Sequence, residues 1–100
     1  MVEIIWTSPA FLALEKLPFA LAVGLFRKAE MLKDFPEMGG PLPTNKKGYA
    51  KYRQLVYRKT HRIIYEYSET ENAVYVMAVQ NCKQMLPAPS ELRRQMPNGD

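Results

Sequence analysis

Six consecutive apolar residues, Val74-Tyr75-Val76-Met77-Ala78-Val79, restrict what this chain can fold into. The β-branched and aromatic residues in the run favour a strand. A strand with one face in water alternates apolar and polar residues; this one does not. It therefore predicts a central strand covered on both faces. The chain has 100 residues, enough for one domain, so the cover must come from the same domain.

The flanking sequence suggests where the cover comes from. Tyr49 to Arg58, His61 to Tyr67 and Ala73 to Asn81 read as three strands. Lys59-Thr60 and Ser68 to Asn72 are the turns, so the strands form an antiparallel meander. Val2 to Thr7 alternates and reads as a further strand, with its place in the sheet left open. Ser8 is then expected as a helix N-cap with Pro9 at the first helical position. Ala10, Phe11, Leu14 and Leu17 form an apolar stripe that Pro18 interrupts. A second helix is expected from there to about Asp34, with Ala22, Leu25, Phe26, Ala29 and Leu32 on its apolar side. Phe35 to Gly48 reads as a surface loop. Ser90 is expected to cap a short helix through about Met96, and residues 97–100 to fray. The fold expected is α+β, in the order β-α-α-β-β-β, with a helical hairpin on one face of the sheet and a weak C-terminal helix. It is a single domain over residues 1–100.

Chemistry is limited by composition. A single cysteine, Cys82, excludes an internal disulfide and fits a reducing compartment. One histidine and one cysteine cannot supply a metal site of three or four such ligands. There is no phosphate-cradling glycine loop and no serine elbow, so no cofactor is expected. Paired with His61, Cys82 would make a nucleophile, but a buried, inert cysteine is the stronger reading. No basic-then-apolar leader is visible, and the longest apolar stretch, Phe19 to Phe26, is too short to span a membrane. The expectation is a soluble, cytoplasmic protein.

Charge is the positive signal. The net charge is +4 and the isoelectric point near 9.3. Lys46, Lys47, Lys51, Arg53, Arg58, Lys59, His61 and Arg62 fall within one loop, two strands and their turn. Tyr49, Tyr52, Tyr57 and Tyr65 are interleaved with them. Alternation puts Arg62, Ile64 and Glu66 on one face, and His61, Ile63, Tyr65 and Tyr67 on the other. Arg53, Leu55 and Tyr57 share a face of the preceding strand. Such a surface could grip a nucleic-acid backbone and stack its bases, or hold an acidic protein segment. It could equally be a solvated sheet face with no partner.

The run Y-R-Q-L-V-Y-R-K-T-H-R-I-I-Y-E-Y, Tyr52 to Tyr67, resembles the central hairpin of RelE/ParE toxins. His61-Arg62-Ile63-Ile64-Tyr65 fills the block where that family carries an arginine followed by two hydrophobic residues and a tyrosine. D-F-P-E-M-G-G-P, Asp34 to Pro41, resembles the loop of ParE-like members. Val74 to Val79 is similar to their last strand, and Trp6 to Ala10 to their strand-to-helix entry. The resemblance spans about residues 2 to 87.

The resemblance implies the toxin of a type II toxin–antitoxin system, associated with growth inhibition and plasmid stabilisation. A cognate antitoxin would neutralise it, and operator DNA would be reached only through that antitoxin. ParE-like members poison DNA gyrase, whereas RelE-like members cleave mRNA in the ribosome. A degenerate member would only bind its antitoxin. If the chain is a ribonuclease, Arg62, Arg53 and Lys83 are its candidate catalytic residues. Lys51, Arg53, Arg58, Arg62 and Tyr65 are the candidates for binding a target or RNA. Asn81-Cys82-Lys83-Gln84 stands where the family's second arginine is expected, and Met85-Leu86-Pro87 lacks the usual tyrosine or histidine. Both departures weigh against ribonuclease activity; the Phe35-Pro36-Glu37 loop leans towards the gyrase-directed branch, whereas the helical hairpin is short for it. The helical hairpin and part of the sheet edge are the surfaces expected to meet the antitoxin. Arg62 carries two expectations: a guanidinium free in a concave surface, or one paired with Glu66 or a cross-strand acid that only steadies the sheet.

Overall fold

A computed structural model describes residues 1–96, so the expected frayed tail at 97–100 lies outside the described residues. The order is β1 (Glu3–Trp6), α1 (Ser8–Glu15), α2 (Phe19–Glu30), β2 (Gly40–Pro41), β3 (Tyr52–Tyr57), β4 (His61–Ser68), β5 (Ala73–Asn81) and α3 (Pro89–Arg94). Short 3-10 turns occupy Met31–Lys33 and Lys47–Tyr49. The five strands form one sheet in the order β1-β5-β4-β3-β2. β3, β4 and β5 are the expected antiparallel meander. The strand left unplaced by the sequence, β1, lies parallel to β5, with Glu3 opposite Ala73 and Trp6 opposite Val76.

β5 is thus flanked on both sides and covered on both faces. On one face, Val74, Val76 and Val79 pack with Ile63, Tyr65 and Leu55 under Leu14, Leu25, Ala29 and Leu32 of the helical hairpin. On the other, Ala73, Tyr75 and Met77 pack with Tyr52 and Ile64 under Leu42 and Leu92. Leu92 is fully buried, which is worth roughly 1.5–3 kcal/mol. The short C-terminal helix therefore supplies part of the second cover. A bulge lets both layers use β5. Ile64 opposes Ala78 and Tyr65 opposes Val76, so Met77 has no partner on β4. The extra residue shifts the alternation, and Val79 turns to the same face as Val76.

Several local expectations are corrected. Thr7, not Ser8, caps α1. Its hydroxyl accepts from the Ala10 N–H and donates to the Val76 carbonyl at 2.8 Å. β1 holds Thr7 extended, so Ser8 already stands inside the helix and Pro9 falls in the first turn, where no N–H is needed. α2 begins after Pro18 and gives way to a 3-10 turn from Met31. Ser90 lies within α3, whose N-cap is Ala88 with no side-chain cap. β3 starts at Tyr52, because Lys47–Tyr49 is already wound into a turn. Inside the expected loop, Gly40–Pro41 pairs with β3 as an edge strand, a position where proline's missing donor is tolerated. No helix among the described residues is long and apolar enough to cross a membrane.

Candidate functional site

The β3–β4 hairpin carries most of the sequence-derived candidates, and its register decides which of them can meet. Arg53 stands opposite Tyr65, and Val56 opposite Arg62. Directly opposed residues share a face. Arg53 and Tyr65 therefore belong to the helix-covered face, whereas Arg62 lies on the other. The two arginines are not brought together.

Arg62 is buried, with 5% of its surface exposed. Its Nη1 donates to Gln54 Oε1 at 3.1 Å, and its Nη2 to the carbonyls of Cys82 at 2.7 Å and Gln84 at 3.4 Å. Neither expectation for this residue holds: the guanidinium is not free, and Glu66 is not its partner. Glu66 instead faces Lys51, 3.9 Å away. Arg62 clamps the turn after β5 onto the hairpin. The Cys82 N–H donates to the Thr60 carbonyl at 2.8 Å and completes the joint.

Arg53 does similar work on the other side. Its Nη1 donates to the carbonyls of Glu37 and Gly39, both at 3.1 Å, and its Nη2 lies 3.5 Å from a Glu37 carboxylate oxygen. Tyr65, fully buried, donates to the Pro36 carbonyl at 2.8 Å and accepts from the Gly39 N–H at 3.0 Å. Burial pushes its phenol pKa up. The loop that resembles the ParE-like one is thus pinned to the sheet by two residues that sequence reasoning marked for target binding.

The other tyrosines are also engaged. Tyr49 donates to the Pro87 carbonyl at 2.8 Å. Tyr52 is buried, which raises its pKa, with the nearby Glu66 carboxylate adding to the rise. Tyr57 packs its hydroxyl against Gly24, where a Cβ would come within 2.0 Å, and the Arg58 guanidinium lies 5.2 Å over its ring. Arg58 and Lys59 form the exposed hairpin tip, and Lys83 is exposed in the following turn. His61 Nδ1 lies 2.9 Å from Thr60 Oγ1, and among the described residues no hydrogen bond joins His61 to Cys82. Cys82 is half-buried, not buried. No three of the described His, Cys, Asp and Glu residues converge as metal ligands would.

The helical hairpin, the surface expected to meet an antitoxin, exposes apolar residues that sequence reasoning had in part assigned to the core. Phe11 and Phe26, assigned to buried stripes, are 44% and 40% exposed, and Leu12 and Phe19 are exposed with them. The Trp6 ring stacks on Phe26 at 5.8 Å and meets Phe11 edge-on at 6.4 Å. The signal was present as four large apolar residues on short helices with too little sheet beneath them.

Comparison with known proteins places this arrangement. The family model described as ParE toxin of type II toxin-antitoxin system, parDE, matches residues 4–86. Among curated proteins no sequence match is found. The isolated RelE toxin of E. coli is similar in structure, with a TM-score of 0.68 and 15% identity, over 96% of this chain and all of that one. The RelBE2 toxin–antitoxin complex of Mycobacterium tuberculosis contains a chain with a TM-score of 0.67 and 23% identity, over 80% of this chain and 96% of that one. The intact RelBE complex of E. coli gives 0.67 and 15%, over 84% of this chain and all of that one.

Proposed function

The chain belongs to the family of ParE toxins of type II toxin–antitoxin systems, and from that premise we propose that it arrests growth by binding DNA gyrase in the cytoplasm, with no bond-breaking chemistry of its own. The observation that carries this reading is the position of Arg62. Cleaving RNA requires cationic groups free to meet the charge that develops on phosphorus, together with a proton carrier beside them. Here the Arg62 guanidinium is spent on Gln54, Cys82 and Gln84. Arg53 is on the opposite face and bound to the loop at Glu37 and Gly39. Lys83 is the one remaining member of the catalytic set with its charge in solvent.

A cognate antitoxin is the second part of the reading. The apolar surface around Trp6, where Phe11 and Phe26 meet its ring and Leu12 lies beside them, favours it, because a scattered exposed residue is ordinary but a contiguous patch marks an interface. The similar RelBE structures are themselves toxin–antitoxin complexes. A stable inhibitory complex should bury more than about 1,000 Å². Recognition of the operator's sequence would follow only through the antitoxin.

The test pairs two assays on the purified chain. Loss of gyrase supercoiling, with intact mRNA in a translating extract, is the expected outcome. Ribosome-dependent mRNA cleavage with supercoiling untouched would replace this reading with the nuclease one. An unaffected outcome in both assays would leave a member that only binds its antitoxin.

A further inference from the structure

The two loops joined by Arg62 end in cations. Arg58 and Lys59 form the β3–β4 turn, both with positive φ, 51° and 64°. The connection runs from Arg58 to Thr60 and is closed by the Thr60 N–H donating to the Tyr57 carbonyl at 3.2 Å; two central turn residues at positive φ favour Asn or Gly, because side chains crowd the backbone in the left-handed region. Two long cations in that place are a conformational cost, offset only in part by the Arg58 guanidinium lying over the Tyr57 ring. Lys83 sits in the adjoining turn, next to the Cys82 N–H that holds the Thr60 carbonyl. Asn81 Oδ1 accepts from the Lys83 N–H at 2.8 Å, and Gln84 Oε1 accepts from the Asn81 N–H at 2.9 Å, so this turn is braced as well.

None of the three cations has an acidic partner among the described residues. The sequence explains why. No Asp or Glu stands between Glu37 and Glu66, or between Glu71 and Glu91. Acids gather instead at the other end of the strands, at Glu3, Glu69 and Glu71. Glu15, at the end of α1, forms no ion pair with any of the three.

We propose that Arg58, Lys59 and Lys83 form a braced cationic prong that contacts the phosphate backbone of duplex DNA without reading its sequence. Two features favour a duplex over a single strand or an acidic peptide. Single strands are held by stacking bases on aromatic faces, and the aromatic ring here, Tyr57, is covered by Arg58. An acidic amphipathic peptide needs a continuous apolar strip beside the charges, and the exposed apolar residues nearest in sequence, Val56 and Met85, stand on separate segments, one in β3 and one beyond β5. The inference goes beyond the toxin reading and does not depend on toxicity, because its test is made on the purified chain.

The experiment is fluorescence anisotropy with a short labelled DNA duplex across a salt series. Three phosphate contacts predict a slope of log affinity against log salt of about −2.7, or about 40-fold weaker binding on going from 50 to 200 mM salt. The variant R58N/K59G/K83Q should flatten that slope and bind about tenfold or more weakly at low salt. Its turn residues suit the backbone, so it should fold. Lys83→Gln alone, in a separate loop, should reduce the slope by about one. No binding, a triple variant that binds like the parent, or tighter binding to single-stranded RNA or polyglutamate would each overturn the proposal.

Discussion

Arg53 and Arg62 lie on opposite faces of the same β3–β4 hairpin, one opposed to Tyr65 and the other to Val56. Each holds a loop against the sheet. Arg53 binds the loop before β2 through the Glu37 and Gly39 carbonyls. Arg62 binds the turn after β5 through those of Cys82 and Gln84. Their charge is spent on backbone, so loss of either should first be felt as loss of structure.

Arg62→Ala is accordingly expected to destabilise the fold by about 2–3 kcal/mol, since hydrogen bonds to a charged group contribute about 1.5–3 kcal/mol. In a domain of this size that lowers Tm by on the order of 10–20 °C. Arg62→Lys should recover only part, because an ammonium cannot reach three acceptors in one plane. Thermal melts of the two variants check this. A normal melt for Arg62→Ala would mean that the clamp contributes little.

The opposite loop offers a parallel case. Tyr65→Phe leaves the Gly39 N–H and the Pro36 carbonyl without their partner, at a cost of roughly 1–3 kcal/mol. Gly39→Ala should cost at least as much, because its Cβ would come within 2.7 Å of the Gln54 carbonyl and of the Tyr65 ring. Amide exchange should quicken across residues 35–39 in both. Unchanged protection there would show that the loop is held by other means.

The hairpin tip should respond in the other direction. Arg58→Asn with Lys59→Gly replaces two residues held at positive φ by residues that adopt it readily. A gain of about 1 kcal/mol is expected, seen as a Tm raised by roughly 4–8 °C. A melting point that falls would show the turn is not strained.

Alkaline pH tests the second face. A hydrogen bond to the Glu71 carboxylate, helped by burial, pushes the Tyr75 phenol up to about 12. The folded state therefore keeps a proton that the unfolded chain gives up near the ordinary tyrosine value of 10.0. The resulting stability is fully present below pH 10 and is lost as pH rises through about 12. Melts taken across that window should fall more steeply for the parent than for Tyr75→Phe; identical slopes would remove this pair from the account.

Much of the fold was legible because periodicity reports burial. The doubly apolar run of β5 announced a central strand, and Pro18 announced the break between the helices. Periodicity says nothing of pairing between distant segments, so the parallel partner of β1 was left open. It also cannot see a bulge. The skipped residue Met77 inverts the alternation along β5, and no composition signal marks it. The cap was misplaced by one residue because Thr7 and Ser8 are both good caps, and only the pairing of β1 with β5 decides between them. The candidate site fared differently. The cations were read correctly as a concentration, but which face each occupies depends on register, and whether each is free depends on carbonyls that the sequence does not display. Arg62 and Tyr65 stood out as functional residues, yet both are buried and hold loops.

The central claim, a toxin that binds its target and does not cut RNA, is tested most directly by pulse-labelling after induction in growing cells. DNA synthesis and protein synthesis are followed together over the first minutes. The account predicts that DNA synthesis halts first, with filamenting cells and continued translation. An early halt in protein synthesis while DNA synthesis continues would contradict it.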